Sequence, residues 1–269
     1  MVVGIQDQRF AVAQVCGVGC TQGCRPLWYA TYRLATQVTK LRSDKAFRFE
    51  EKKVLVCGLK LVNELSRSHS FKALIHTEAF SDKIKAEESY IVTDEIMKKI
   101  SGMVSPEPVA ALIDLPKNAD LSKCKYLLIL DRLSDPGNLG TLLRTALALG
   151  WDGAFILDST CDPYNEKAIR SAKGATFHLP LQIGSLSTLQ EILKIGKHKS
   201  YVADLGGASY RQADCKAPIA LVLGSESHGP SKEAKTDFTP ISIPMLGPME
   251  SLNVASAGAI LLEHLRGAV

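Results

Sequence analysis

The chain has 269 residues, of which 46% are hydrophobic and 22% charged, with a net charge of +4 and a sequence pI near 8.6. This is the composition of a folded globular protein, and it excludes collagen-like, low-complexity and wholly disordered classes. No apolar run approaches the ~18 residues of a membrane-spanning helix, and the mild positive charge permits an anionic partner without demanding one.

Residues 1–35, MVVGIQDQRFAVAQVCGVGCTQGCRPLWYATYRLA, hold Asp7 as their one acid beside Arg9, Arg25 and Arg33. No apolar core with a cleavage site marks a secretory signal; an organelle-targeting leader and a disordered tail both fit. The stretch is set aside from the fold. Cys16, Cys20 and Cys24 have three residues between successive members, near some iron–sulfur spacings but matching none. Cys57, Cys124, Cys161 and Cys215 are single and scattered, as thiols of a reducing, intracellular compartment are. No metal is expected.

Residues 36–117 read as a small α/β domain. KLRSDKAFRFEEKK, Lys40 to Lys53, carries six basic and three acidic side chains. A phosphate-contacting face and a merely solvated one are both open readings of it. A strand is predicted at Val54–Cys57, a helix at Leu59–Leu65 and a second strand at Ala73–His76. Thr93 or Asp94 caps a helix whose spacing runs through Ile96, Met97 and Ile100. PVAALIDLP is a third strand, and the polar, turn-rich PKNADLSKCK marks the domain boundary.

Residues 118–269 form the second domain, in which strand, loop and helix alternate from Tyr126 onward. YLLIL is a continuous apolar run, as a strand buried on both faces of a parallel sheet requires. TLLRTALALG is helical and stops at Gly150. GAFILD is a strand and NEKAIRSAKGA a helix. LSTLQEILKIGK is an amphipathic helix with Leu186, Leu189, Ile192, Leu193 and Ile195 on one side. SYVAD, IALVLG and ISIPM are strands. NVASAGAILLEHLRG is the last helix, with Val254, Ala257, Leu261 and Leu265 toward the core. The alternation predicts a mostly parallel sheet covered by helices, with ligands at the loops beyond the strands' carboxyl ends.

Three of those loops concentrate unusual residues. In LDRLSDPGNLGTLLRTA, Asp135, Pro136 and Gly137 are turn and cap chemistry, and Asn138 follows. Arg144 stands within an otherwise apolar helix, where a guanidinium must reach solvent or meet an anion. In LVLGSESHGPS, Gly224 lets something approach the backbone closely and Glu226 stands at the strand's mouth, where by itself it reads as a helix cap or loop stabiliser. In ISIPMLGPMESLN, Pro244, Gly247 and Pro248 stiffen a turn, and Ser251 or Asn253 can cap the helix that begins near Val254. No GxGxxG follows a strand, and GxxxxGK[ST], HExxH and GxSxG are missing, which sets aside dinucleotide oxidoreductases and P-loop nucleotidases.

Taken together, DPGNLGTLLRTALALG (Asp135–Gly150), LVLGSESHGPS and IPMLGPMESLNVASAGAILL (Ile243–Leu262) resemble, in order, the three motifs of the SpoU (TrmH-type) branch of the SPOUT RNA methyltransferases. DPYNEKAIRSAKGATFHLP resembles the family's stretch after its second strand. The likeness covers residues 126–267, and residues 38–116 are similar to the small α/β substrate-binding domain of many members. It departs at Ser227 and Pro230, where relatives often have glycine and leucine.

The resemblance implies a SPOUT α/β knot: a mostly parallel sheet whose C-terminal part threads a loop as a deep trefoil. It implies S-adenosylmethionine as cofactor, a homodimer, RNA as partner and neither membrane nor metal. By position, Leu223, Gly224, Ile243 and Leu252 contact the cofactor mainly through main-chain groups, with Met245 and Ser251 beside them. Asn138, Arg144, Glu226, Ser251 and Asn253 match the functional polar positions. The implied reaction is methylation of a ribose 2′-hydroxyl, with ribosomal RNA favoured over transfer RNA because of the added domain. A guanidinium does not release its proton at neutral pH, so Arg144 is read as positioning the target and stabilising alkoxide charge. The competing reading is a catalytically silent knotted factor that binds RNA or assists ribosome assembly.

Overall fold

The computed structural model describes residues 27–225 and 229–267; Cys16, Cys20, Cys24 and Glu226 lie outside the described residues. The chain divides into two compact units, Met1–Leu115 and Pro116–Val269.

The first unit runs α1 (Leu27–Ser43), α2 (Lys45–Glu51), β1 (Lys53–Cys57), α3 (Leu59–Leu65), β2 (Phe71–His76), β3 (Ala86–Ile91), α4 (Asp94–Ser101) and β4 (Val109–Asp114). Its sheet has the order β1-β4-β2-β3, antiparallel except for the β2–β3 pair. Helix α1 begins inside the stretch set aside as leader or tail, which corrects the limit at residue 35. Ala35, Val38 and Leu41, at helical spacing, are buried in this unit's core. The start of α1 has no acid in its first turn to announce it. Strand β3 was also not predicted: AEESYI lacks apolar alternation, and it lies half-exposed at the sheet's edge.

The Lys40–Lys53 stretch is built largely as helix ends. The buried Arg48 donates to the carbonyl of Leu41 and, at 2.8 Å, to that of Arg42, closing the C-terminus of α1. Arg42 donates to the carbonyls of Lys99 and Ile100 at the end of α4. Lys40 sits 4.2 Å over the Phe47 ring.

The second unit contains β5 (Tyr126–Asp131), α5 (Pro136–Ala148), β6 (Gly153–Leu157), α6 (Glu166–Ala172), α7 (Ala175–His178), β7 (Leu181–Gly184), α8 (Leu186–Gly196), β8 (Lys199–Ser209), β9 (Ile219–Gly224), α9 (Lys232–Asp237), β10 (Thr239–Ser242) and α10 (Val254–Arg266). Its sheet is ordered β10-β8-β9-β5-β6-β7, and every pairing is parallel. Central strand β5 feeds both faces: Leu128 and Leu130 join one core, Leu127 and Ile129 the other.

Several limits differ from the sequence reading. NEKAIRSAKGA is broken into α6 and α7 at left-handed Lys173 and Gly174. The strand expected at ISIPM ends at Ser242, which leaves Ile243 and Met245 in a loop. On α8, Leu189, Ile192 and Leu193 are buried, but Ile195, two residues past Leu193 and so across the helix, is 67% exposed. Helix α10 is held by the indole of Trp151, which donates to the Leu262 carbonyl at 3.1 Å. Arg266 adds a bond to Gly150 O and lies 4.4 Å over the Tyr126 ring.

Helix α5 presses on α6 at Gly140, where a Cβ would stand 2.2 Å from the Ala168 carbonyl oxygen. Gly140→Ala should therefore destabilise the unit by about 1–3 kcal/mol despite alanine's better helix propensity. Denaturant titration reads this as a lowered midpoint with an unchanged slope.

Candidate functional site

Beyond the carboxyl ends of β9 and β10, and against the middle of β8, which lies between them in the sheet, is a cavity of about 330 Å³. That is the place and size expected of a ligand site in an open parallel sheet. The end of β9 supplies Leu223 and Gly224; the loop after β10 supplies Ile243, Met245, Ser251 and Leu252. The structure thus gathers on one wall system all the residues assigned to the cofactor from the sequence. Val254, Ala257 and Leu261 of α10 close it from the side.

The wall beside β9 is set by a backbone crossing. A Cβ on Gly224 would lie 2.3 Å from Pro230 N, so only glycine lets the returning chain pass there. Gly229 N–H donates to Ser225 O at 2.8 Å, which closes the base of the loop. Asp131, buried at the end of β5, accepts the Ser231 amide at 2.7 Å. The next residue, Arg132, donates from Nη2 to Gly229 O at 3.4 Å from a left-handed backbone, φ 56°. Adjacent residues of one strand end therefore hold both sides of Pro230, a wall residue of the cavity.

The polar positions separate into groups. Asn138 lies in the first turn of α5, whose cap Asp135 accepts from Gly137 N at 3.2 Å. Lys167 Nζ stands 2.5 Å from Asp135, and this bond holds the Asp135 carboxyl below the usual carboxylate range. Asn253 caps α10 through its Oδ1, which takes Ala255 N at 2.9 Å, while its Nδ2 donates to Asn138 Oδ1 at 3.3 Å. Ser251 lines the cavity without serving as the cap. Arg144 is not brought to the cavity wall: it is exposed on α5, about 9 Å along the helix from Asn138.

Sequence reasoning missed Ala203, Asp204 and Leu205, which form the wall contributed by β8. A signal was available in the paired Gly206 and Gly207, since glycines inside a strand mark irregular pairing. Leu223, Ile243, Met245 and Leu252 offer apolar surface to a purine, and the strand ends offer main-chain donors and acceptors. The residues present suit a nucleoside cofactor such as S-adenosylmethionine.

Residues 125–263 match the model of the SpoU rRNA methylase family. The 23S rRNA (guanosine(2553)-2'-O)-methyltransferase RlmP of Bacillus subtilis (strain 168) is 34% identical over 235 residues, spanning 85% of this chain and 94% of that protein. A 23S rRNA (uridine(2479)-2'-O)-methyltransferase of Streptomyces viridochromogenes is 30% identical over 199 residues, 68% of each chain. An AdoMet-bound rRNA methyltransferase from Sinorhizobium meliloti superposes with a TM-score of 0.78 at 26% identity, covering 88% of this chain and 95% of that one.

Arg132→Gly should leave global stability unchanged or raised by up to about 1 kcal/mol, because glycine tolerates the left-handed backbone. It should also speed amide exchange at Gly229 and Ser231 by releasing the clamp. Hydrogen exchange beside a thermal melt separates the two effects.

Proposed function

The chain belongs to the SpoU rRNA methylase family, and from that premise we propose that it transfers a methyl group from S-adenosylmethionine to a ribose 2′-hydroxyl of ribosomal RNA. The observation that carries this is the gathering of Leu223, Gly224, Ile243, Met245, Ser251 and Leu252 around one cavity at the carboxyl ends of parallel strands. Bound there, the cofactor supplies a methyl group already activated on a sulfonium sulfur. The protein's task is to align the hydroxyl oxygen, accept its proton and keep water out.

Main-chain groups of Gly224 and of the Ile243–Leu252 loop hold the cofactor. Asn138 and Asn253, joined by their hydrogen bond, fix the start of α5 beside the start of α10. Arg144 takes an RNA phosphate or ribose and stabilises charge on the oxygen that loses its proton. Glu226, which lies outside the described residues, is kept as a functional polar position on the motif resemblance alone. The small unit formed by α1–β4 binds the RNA substrate. The tail from β10 to α10 threads the fold as a trefoil knot, a reading that rests on the three motifs and their resemblance to the family. A second copy of the chain covers the loop after β10, where Leu246 and Met249 are 99% and 69% exposed.

Mapping 2′-O-methyl sites across total RNA with and without the gene tests the reaction; an unchanged ribosomal RNA profile overturns it. Arg144→Ala should lower kcat by about 10²–10³-fold while the Kd for S-adenosylmethionine stays within about twofold. Single-turnover kinetics with calorimetry read both. Light scattering should give a dimer at micromolar concentration, and a monomer would remove the second copy from the site.

A further inference from the structure

Among the described residues lining the cavity, Asp204 alone is ionisable. It stands there because the sheet loses its register. Thr239 and Pro240 pair with Tyr201 and Val202, whereas Ile241 and Ser242 pair with Ala208 and Ser209. The ladder passes over residues 203–207, and Ala203, Asp204 and Leu205 become cavity wall. The detour is fixed at several points. Gly206 N–H donates to Asp204 Oδ1 at 2.9 Å, which orients the carboxylate. Ser242 Oγ donates to Gly207 O at 2.8 Å. A Cβ on Gly207 would lie 2.5 Å from Ile241 N, so the two strands touch backbone to backbone. The wall around this half-buried carboxylate is otherwise mostly aliphatic.

We propose that Asp204 is the counter-charge for the cationic part of S-adenosylmethionine, an inference that rests on the cavity being the cofactor site. The cofactor carries positive charge on sulfur and on its α-amino group against one carboxylate. A net cation entering an apolar cavity needs an anion close by. Asp204 supplies it from a hydrogen-bonded bulge. If the carboxylate faces sulfur, it holds the methyl donor more tightly than the spent thioether, which has lost that charge, and so favours product exchange. If it faces the ammonium, it holds donor and product alike.

Calorimetry on the full chain distinguishes these. Wild type, Asp204→Asn and Asp204→Ser are titrated with S-adenosylmethionine, S-adenosylhomocysteine and 5′-methylthioadenosine. The second ligand keeps the ammonium on a neutral sulfur, and the third has neither charge. Both variants retain an acceptor for the Gly206 amide. The Kd for S-adenosylmethionine should rise about tenfold or more in each, with 5′-methylthioadenosine unaffected. A parallel loss for S-adenosylhomocysteine places the carboxylate at the ammonium; an unchanged value places it at sulfur. The proposal fails if S-adenosylmethionine binds both variants as it binds wild type, or if all three ligands weaken equally. It also fails if neither variant folds, because the carboxylate then serves the bulge. Wild-type protein that binds none of the three overturns the cofactor reading itself, before any substitution is compared.

Discussion

The cavity depends on a chain crossing that only a missing side chain permits. At the end of β9, Gly224 lets Pro230 pass at backbone contact. Any larger residue would push Gly229 and Pro230 outward and open the wall they form. The crossing is then held by groups from β5, the neighbouring strand, since Asp131 faces Gly224 in the ladder and reaches the Ser231 amide. A buried carboxylate is tolerated there because it satisfies a backbone donor that would otherwise be orphaned, a penalty of about 1–3 kcal/mol.

Around that crossing, the parallel sheet does the rest. Parallel strands expose their carboxyl ends together; β9 and β10 contribute theirs, and β8 between them contributes its middle. The helices that follow are fastened where they start. Asn253 both caps α10 and bonds to Asn138 at the start of α5. One side chain thus sets a helix end and joins distant segments, so its value to the site cannot be separated from its value to the helix by a single alanine substitution. Asp135 has the same double duty through its cap and Lys167.

Strongly patterned elements were legible in the sequence. Leu59–Leu65 and Ile219–Gly224 have the predicted limits, and Thr93 caps α4 through Ile96 N as its type suggests. In each case a local rule, apolar period or capping oxygen, agrees with the tertiary environment. Strand β3 was hidden because an edge strand with a half-exposed pattern needs no apolar alternation. Helix α1 was hidden because its buried stripe of Ala35, Val38 and Leu41 is short and mixed with polar residues. The cavity wall of Leu223, Gly224, Ile243, Met245, Ser251 and Leu252 was named from motif resemblance, not from periodicity, which says nothing of which loops meet. The wall of Ala203–Leu205 was missed for a related reason. A register break is a property of two strands, and neither SYVAD nor ISIPM records it alone.

Two features of the second unit face solvent in the single chain, and they call for different partners. Arg144 is exposed on α5 and lies off the cavity wall, although an arginine within an apolar helix needs a partner or water. The loop after β10 presents Leu246, Met249 and Leu252 to solvent beside the cavity, with Leu205 from β8 and Ile260 from α10 also exposed. Isolated apolar side chains on a surface need no account, but these belong to the elements that line one cavity. A second copy packed on this loop would bury them and bring groups toward the cavity mouth from outside. RNA alone would answer Arg144 and leave the leucines and methionine wet. On the proposed reading, the apolar exposure is what a second copy would cover and the guanidinium what an RNA anion would meet.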